Sequence, residues 1–337
     1  NLAYGDNFIF RDLMKLSINT YPLAYDLLIN RFDAEAGSNT QHSFLDFKNP
    51  SPLLLIHRMS ASLWDRLTLT LYEGVLHWTA SSGLDPKLLN PMMIIHNLNT
   101  FYLGSANNFF GFEIDWAICP TLSAHVEGIF DQIQLKTEIG ATAPNANGFL
   151  ANLRGSLEVS GLLLSWHLEG AYTSPGLYLK EDRPDLGYLH YQTDLIVGNK
   201  LWDHSDVSYI GYMYGPNSVA AQAGLQASDY LKGLEAHLLV LFKAHGDTGL
   251  GQDDLLPTAS DIGGHLSPWC KDDAKKPEYL LQFSLGGSKG FKDGALTFYG
   301  EIVLQNYWNY KNMSSVLSFN SQIMLGARLD PMRLWTL

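Results

Sequence analysis

The side chains of this chain that could do chemistry are carboxylates and imidazoles at alternate positions of several segments. Carboxylates beside imidazoles are the groups used in general acid–base catalysis. However, their spacing gives no set of nucleophile, base and orienting group, and polar barrel interiors hold the same residue types. We therefore predict a solvated or salt-bridged interior and no enzyme. The residues concerned are Glu113, Asp115, His125, Glu127, Asp131, Asn152, Arg154, Glu158, His167 and Glu169.

Metal, cofactor and redox chemistry are not predicted from this sequence. The histidines lack a ligand spacing such as H-E-x-x-H. The acidic residues of segment 247–261 could hold Ca²⁺ through oxygen ligands, and a solvated acidic loop is the alternative. Cys119 and Cys270 are expected at opposite ends of a membrane span, out of disulfide reach. The net charge of −12 argues against nucleic acid as a partner.

Apolar residues alternate with the polar ones, which is typical of strands with one apolar and one polar face. Phe110, Phe112, Ile114 and Trp116, for example, alternate with small or acidic residues. The alternation predicts strands at about 8–19, 23–33, 52–63, 66–78, 107–118, 122–134, 148–159, 162–174, 218–229, 232–245, 278–289, 294–309 and 315–329. Their lengths suit a tilted membrane-spanning strand.

The connections between these strands alternate between short turns and long segments. The long ones are 34–51, 79–106, 135–147, 175–217 and 246–277, with a short one at 310–314. Outer-membrane barrels have short periplasmic turns and long extracellular loops. Charged residues make up only 17% of the chain, and no apolar run is long enough for a spanning helix.

These patterns predict one all-β domain over 1–337, a transmembrane antiparallel up-and-down β-barrel in the bacterial outer membrane, with lipid against its apolar face. A soluble β-sandwich or propeller is the alternative. Bacterial barrels have an even number of strands, so we expect this chain to lack strands that lie upstream of Asn1.

Several runs in the first part of the chain are more specific than alternation. They are Ile56–Ala61 with its His-Arg pair, Leu69–Val75 with Glu73, Leu88–Asn97 with a Leu-Asn-Pro sequence, and Asn107–Trp116. In these runs the chain resembles the capsule-assembly Wzi-like outer-membrane barrels. Weaker similarities lie at Tyr209–Ser218 and Lys243–Gly246. The resemblance implies a non-catalytic barrel that binds or organises surface polysaccharide through its extracellular loops.

Glu73 stands on an otherwise apolar face, where an uncovered carboxylate would be costly. We expect either a bulge in its strand or a covering loop. The resemblance implies that Glu73 binds the loop around Asn90 and His96 and fixes that loop in or over the lumen. A purely structural role for this contact is the alternative to a contact with glycan.

Aromatic residues are concentrated in the segment 175–217, where their flat rings could stack on sugars. The candidate polysaccharide-binding residues are Tyr188, Tyr191, Trp202, Tyr209 and Tyr212. Packing of these rings onto the barrel rim is the alternative. For the whole protein, a porin or substrate-specific channel, a scaffold for partner proteins and a membrane-embedded hydrolase remain alternative functions, although no hydrolase triad is visible.

Overall fold

The computed structural model describes residues 2, 12–31, 51–79, 86–90, 106–132, 145–178, 191–197, 200–208, 211–229, 231–247, 265–291 and 295–330. Fifteen strands lie in these segments, with short 3-10 turns at Pro86–Leu89 and Tyr310–Asn312. The strands are β1 Asp12–Thr20, β2 Leu23–Arg31, β3 Ser51–Leu63, β4 Leu67–Thr79, β5 Ala106–Cys119, β6 Leu122–Gln132, β7 Ala146–Val159, β8 Leu162–Thr173, β9 Tyr191–Val197, β10 Lys200–Ser208, β11 Ser218–Asp229, β12 Leu234–His245, β13 Glu278–Phe291, β14 Leu296–Trp308 and β15 Leu317–Leu329.

Thirteen of these strands form one antiparallel sheet in which each strand pairs with the next, β11 following β8. The predicted all-β, up-and-down barrel architecture is confirmed, and the strand bounds agree with the alternation to within a few residues. Within the described residues, β1 pairs only with β2 and β15 only with β14, so the barrel sheet is open. Neither helical turn among these residues is long and apolar enough to cross a membrane.

The segment 175–217 contains structure that the alternation did not predict. Its strands β9 and β10 follow β8 and precede β11 in the chain. They pair only with each other and form a separate two-stranded sheet. The long connection predicted here therefore contains a hairpin of its own. The register of this hairpin shifts between Leu201 and Ser205, so no uninterrupted alternation marks it in the sequence.

Tight turns join the strands at one end of the sheet, which we call the short-turn end. Ser160 and Gly161 both have positive φ and connect β7 to β8 in two residues. This geometry matches the right-handed twist of the flanking strands. The opposite end, which we call the long-loop end, has the connections predicted to be extracellular.

The two faces of the sheet have opposite chemistry. On the inner face, Glu113 is 5% exposed and Glu127 is fully buried. On the outer face, Leu71 is 64% exposed, Trp116 50% and Leu168 50%. A water-soluble sheet protein buries its apolar face and exposes its charges. This sheet instead exposes large apolar side chains on its outer face and buries carboxylates on its inner face.

Candidate functional site

The inner face is filled at the long-loop end by residue 2 and the segments 174–178 and 211–217, which we call the plug. Leu2, Leu177, Tyr178 and Tyr212 are at most 4% exposed. They pack in one apolar cluster with inner-face side chains of seven strands of the sheet. Those side chains are Leu54, Ile56, Tyr72, Leu76, Phe109, Ile129, Leu150, Ala171 and Ala220. The solvated or salt-bridged interior predicted from the polar stripe therefore does not extend to this end.

Hydrogen bonds fix the plug to the sheet. The backbone N–H of Leu2 donates to Glu127 Oε2 at 2.8 Å, and Tyr178 Oη donates to the Leu2 carbonyl at 2.6 Å. The Tyr212 N–H donates in turn to Tyr178 Oη at 3.1 Å. Burial raises the pKa of both tyrosines above the ordinary value, so both hydroxyls remain protonated, and the Tyr178 hydroxyl stays a donor.

At the rim of the long-loop end, side-chain hydrogen bonds to backbone groups connect the loop around Trp269 to the sheet. Asn217 is fully buried, its Nδ2 donates to the Trp269 carbonyl at 2.6 Å, and its Oδ1 accepts the Trp269 N–H at 2.8 Å. Ser267 donates to the Thr173 carbonyl at 2.6 Å. The ring of Trp269 stacks on His265, with 4.7 Å between centroids. The loop is thus tied to the sheet at several points and presents an aromatic pair.

Asp247, considered above as a calcium ligand, stabilises this same loop. Its two carboxylate oxygens accept the backbone N–H groups of Lys271 and Asp272 at 2.9 and 3.3 Å. The other acidic residues of 247–261 lie outside the described residues. Burial and the neighbouring Asp247 carboxylate raise the pKa of the Cys270 thiol to about 11.

Ion pairs occupy the middle of the inner face. Arg58 on β3 bridges Asp26 on β2 and Glu113 on β5. On the same face, Asp115 Oδ1 lies 2.8 Å from His125 Nδ1, within hydrogen-bonding distance. The salt-bridged interior predicted from the sequence is found at this level of the sheet.

Toward the short-turn end the inner face opens into a cleft of about 820 Å³. Its polar lining includes Arg154, His167, Glu169, Gln222 and Gln226. A second cavity of about 500 Å³ shares Arg154 and Glu169 with it. Arg154, His167 and Glu169 belong to the predicted polar stripe, and Gln222 and Gln226 lie on the same face of β11. In the register, Arg154 is opposite His167 and Glu169 is opposite Gln222.

The loop predicted to lie in or over the lumen packs, in its described part, on the outer face. Leu88 of the turn Pro86–Leu89 is buried against Leu55 and Val75, which point away from the plug. The prediction of a lumenal position is therefore wrong for this part of the loop. The register of β4 continues through Glu73 without a bulge, so the bulged strand, one of the two possibilities predicted for Glu73, is wrong.

The described contact that fixes this turn belongs to His57, the cross-strand partner of Glu73. His57 Nε2 lies 2.7 Å from the Leu88 carbonyl, and its Nδ1 lies 2.7 Å from the Tyr25 hydroxyl. Because a carbonyl only accepts, Nε2 must donate, and a neutral ring then accepts from Tyr25 at Nδ1. We call this arrangement the His57 latch. Asn90 lies at the exposed end of the turn.

The predicted polysaccharide-binding residues have different positions. Tyr212 is 4% exposed and packs in the plug, so the outward-facing role predicted for it is wrong and the packing alternative applies. Tyr191 and Trp202 lie on β9 and β10. Tyr188, Tyr209 and His96 lie outside the described residues. Leu2 was not predicted as a site residue, because no local pattern marks a residue whose partners are distant in sequence.

The fold and the site together define an open, up-and-down antiparallel barrel sheet whose inner face is blocked at one end. No family model and no curated protein matches the chain. Among solved structures it is similar to Wzi of Escherichia coli, described as an outer-membrane protein involved in group 1 capsule assembly and a carbohydrate-binding β-barrel. The sequence identity is 14%, the TM-score is 0.47, and the alignment covers 91% of this chain and 54% of that one. The chain thus spans about half the length of Wzi.

Proposed function

We propose that this chain is part of a bacterial outer-membrane barrel that binds or organises surface polysaccharide at its long-loop end, without catalysing a reaction. The observation behind this choice is the plug. A porin needs a continuous polar passage, but here buried leucine and tyrosine side chains fill the inner face between seven strands. An occluded barrel is better suited to binding at its surface than to transport.

The membrane location is supported by the chemistry of the outer face. Leu69, Leu71, Ile114 and Leu168 are each at least 36% exposed in strands whose inner-face carboxylates are buried. Exposing such a surface to water would cost about 25 cal/mol for each Å² of apolar area, and lipid removes this cost. Short turns would then face the periplasm and the long loops the cell exterior.

Polysaccharide as the ligand is supported by aromatic groups at the long-loop end. The stacked His265–Trp269 pair stands on a loop that Asn217, Ser267 and Asp247 hold in place, so little conformational entropy is lost on binding. Tyr188, Tyr191, Trp202 and Tyr209 remain candidates in the segment between β8 and β11. The acidic balance of the chain favours a neutral or cation-bridged glycan at this end.

Two measurements on the full-length protein test this proposal. In planar bilayers we expect no stable ion conductance, because the plug closes the passage. In cells we expect Trp269→Ala to release surface polysaccharide into the medium while the barrel remains folded. Phe283→Ala, on the outer face far from the long loops, is the matched aromatic control. Steady conductance together with unchanged polysaccharide retention would instead support a channel.

A further inference from the structure

Arg154 on β7 is a cation with unused hydrogen-bonding capacity on the inner face. Its Nε donates to Asn152 Oδ1 at 2.8 Å, which orients the guanidinium group. Among the described residues, Arg154 forms no ion pair, so its two terminal nitrogens are open to the cleft that it lines.

The anchor of Arg154 is itself fixed by a row of hydrogen bonds. Asn152 is 7% exposed, and its Nδ2 donates to Glu169 Oε2 at 3.0 Å. Gln222 Nε2 donates to the other oxygen of Glu169 at 3.2 Å. The row Arg154–Asn152–Glu169–Gln222 spans three neighbouring strands, β7, β8 and β11, so its geometry is set by the sheet.

Hydrogen-bond donors, neutral groups and carboxylates all surround Arg154. His167 on β8 and Ser123 on β6 are its cross-strand partners. The nearest inner-face carboxylates are engaged, Glu169 by two amides and Asp115 by His125. Glu169 keeps its negative charge because both of its partners are neutral amides, so an anion at Arg154 needs the paired guanidinium contacts to offset some repulsion.

We propose that Arg154 is the anchor of a second, independent site that binds the carboxylate of an acidic sugar. A guanidinium held at Nε leaves two coplanar N–H donors, which match the two oxygens of a carboxylate. Gln222, Gln226 and His237 line the same cleft and offer partners for sugar hydroxyls. A cleft of about 820 Å³ holds a disaccharide.

This site lies away from the loops proposed to bind polysaccharide. Cys119, Pro120 and Thr121 of a short turn line its cleft, so ligand would enter from the short-turn end. Its existence does not depend on the function proposed for the long loops, and a substitution at Trp269 should not affect it.

The test is calorimetric titration of the full-length protein in detergent with cellobiouronate and with cellobiose, which differ only in the carboxylate. We expect cellobiouronate to bind at low ionic strength and cellobiose to bind at least about tenfold more weakly. Arg154→Gln should weaken cellobiouronate binding by about tenfold or more. Arg328→Gln, which removes an exposed cation from β15, should leave it unchanged.

Further variants keep the result interpretable if Arg154→Gln does not fold. Arg154→Lys retains the charge but loses the paired donors, and Asn152→Ala retains the arginine but loses its anchor, so both should weaken binding. Equal affinity of all variants for cellobiouronate, or no binding by the native protein, would overturn the proposal. Binding of inorganic phosphate at Arg154 without cellobiouronate binding would also overturn it, in favour of a phosphate site.

Discussion

Tyr72 on β4 reaches past β5 and donates its hydroxyl to Glu127 on β6, with 3.1 Å between the two oxygens. The second oxygen of the same carboxylate accepts the Leu2 N–H. Glu127 is completely buried, so one carboxylate joins three parts of the molecule without help from solvent. This link makes the plug and the sheet a single packed unit.

Glu127→Ala should therefore destabilise the plugged barrel. It leaves the Leu2 N–H without this partner, at a cost of about 1–3 kcal/mol, whereas the Tyr72 hydroxyl can still donate to the Gly128 carbonyl at 3.3 Å. Urea unfolding of the purified protein should show a lower midpoint, and bilayer recordings should show new conductance. Glu158→Ala removes an exposed carboxylate from β7 and serves as the control. Equal stability of the two variants would mean that Glu127 does not hold the plug.

Arginine substitutions should separate the two faces of the sheet. Ile114 and Leu164 lie on the outer face, and Asp115 and Ser165 on the inner face. Arginine at either outer position should impair assembly, with a cost of about 2–4 kcal/mol at the membrane midplane, whereas Ser165→Arg should be tolerated. Heat-modifiable migration in gel electrophoresis measures the folded fraction. Similar damage at both faces would contradict the assigned orientation.

His57→Ala should loosen the turn Pro86–Leu89 without opening the barrel. The variant loses the hydrogen bond between Nε2 and the Leu88 carbonyl. Hydrogen exchange at 88–90 should accelerate by roughly fivefold, the effect of about 1 kcal/mol. Conductance should not change, because Leu88 packs on the outer face. Glu73→Gln keeps the His57–Leu88 bond and is the control. Faster exchange at 88–90 in Glu73→Gln as well would mean that Glu73, rather than His57, mainly holds the turn.

Asn217→Gly should loosen the rim loop around Trp269 without straining the backbone at position 217. Asn217 has a φ of 55°, a left-handed conformation that glycine adopts easily, so this change removes mainly the two side-chain bonds to Trp269. We expect a loss of about 1–3 kcal/mol in stability and faster proteolysis near 265–270. Ser160→Gly, at a left-handed position in the β7–β8 turn, is a matched control for the change in chain entropy. Unchanged proteolysis at 265–270 would show that the Asn217 bonds do not hold the loop.

Cys270 should react slowly with alkylating reagents at neutral pH. Its pKa of about 11 means that about one thiol in a thousand is ionised at pH 8, and only the thiolate reacts. In a Cys119→Ser background, the alkylation rate should rise about tenfold per pH unit up to pH 10. Asp247→Asn should lower the pKa of Cys270, because it removes one of the causes of the increase. A rate that levels off near pH 9 would contradict this environment.

Alternation along the sequence predicts the sheet. Side chains on a strand alternate between two faces. The spacing of residues such as Glu113 and Ile114 is therefore enough to predict where a strand lies and which face each residue is on. Turn residues such as Ser160 and Gly161 add the order of the hairpins. The polar residues from Glu113 to Glu169 named above lie on the inner face, as predicted. The reason is that a slip of one residue in the register would move every side chain of a strand to the other face.

What fills and covers that sheet depends on contacts between residues that are distant in the sequence. Leu2 and Tyr178 are neighbours although 176 positions separate them, and no local pattern encodes such a contact. Tyr212 and Leu88 were placed on the wrong side for the same reason. A loop residue has no period that fixes its direction, so its environment depends on which distant surface offers it burial. Packing over long sequence separations, rather than alternation, therefore determines the plug, the His57 latch and the Arg154 cleft.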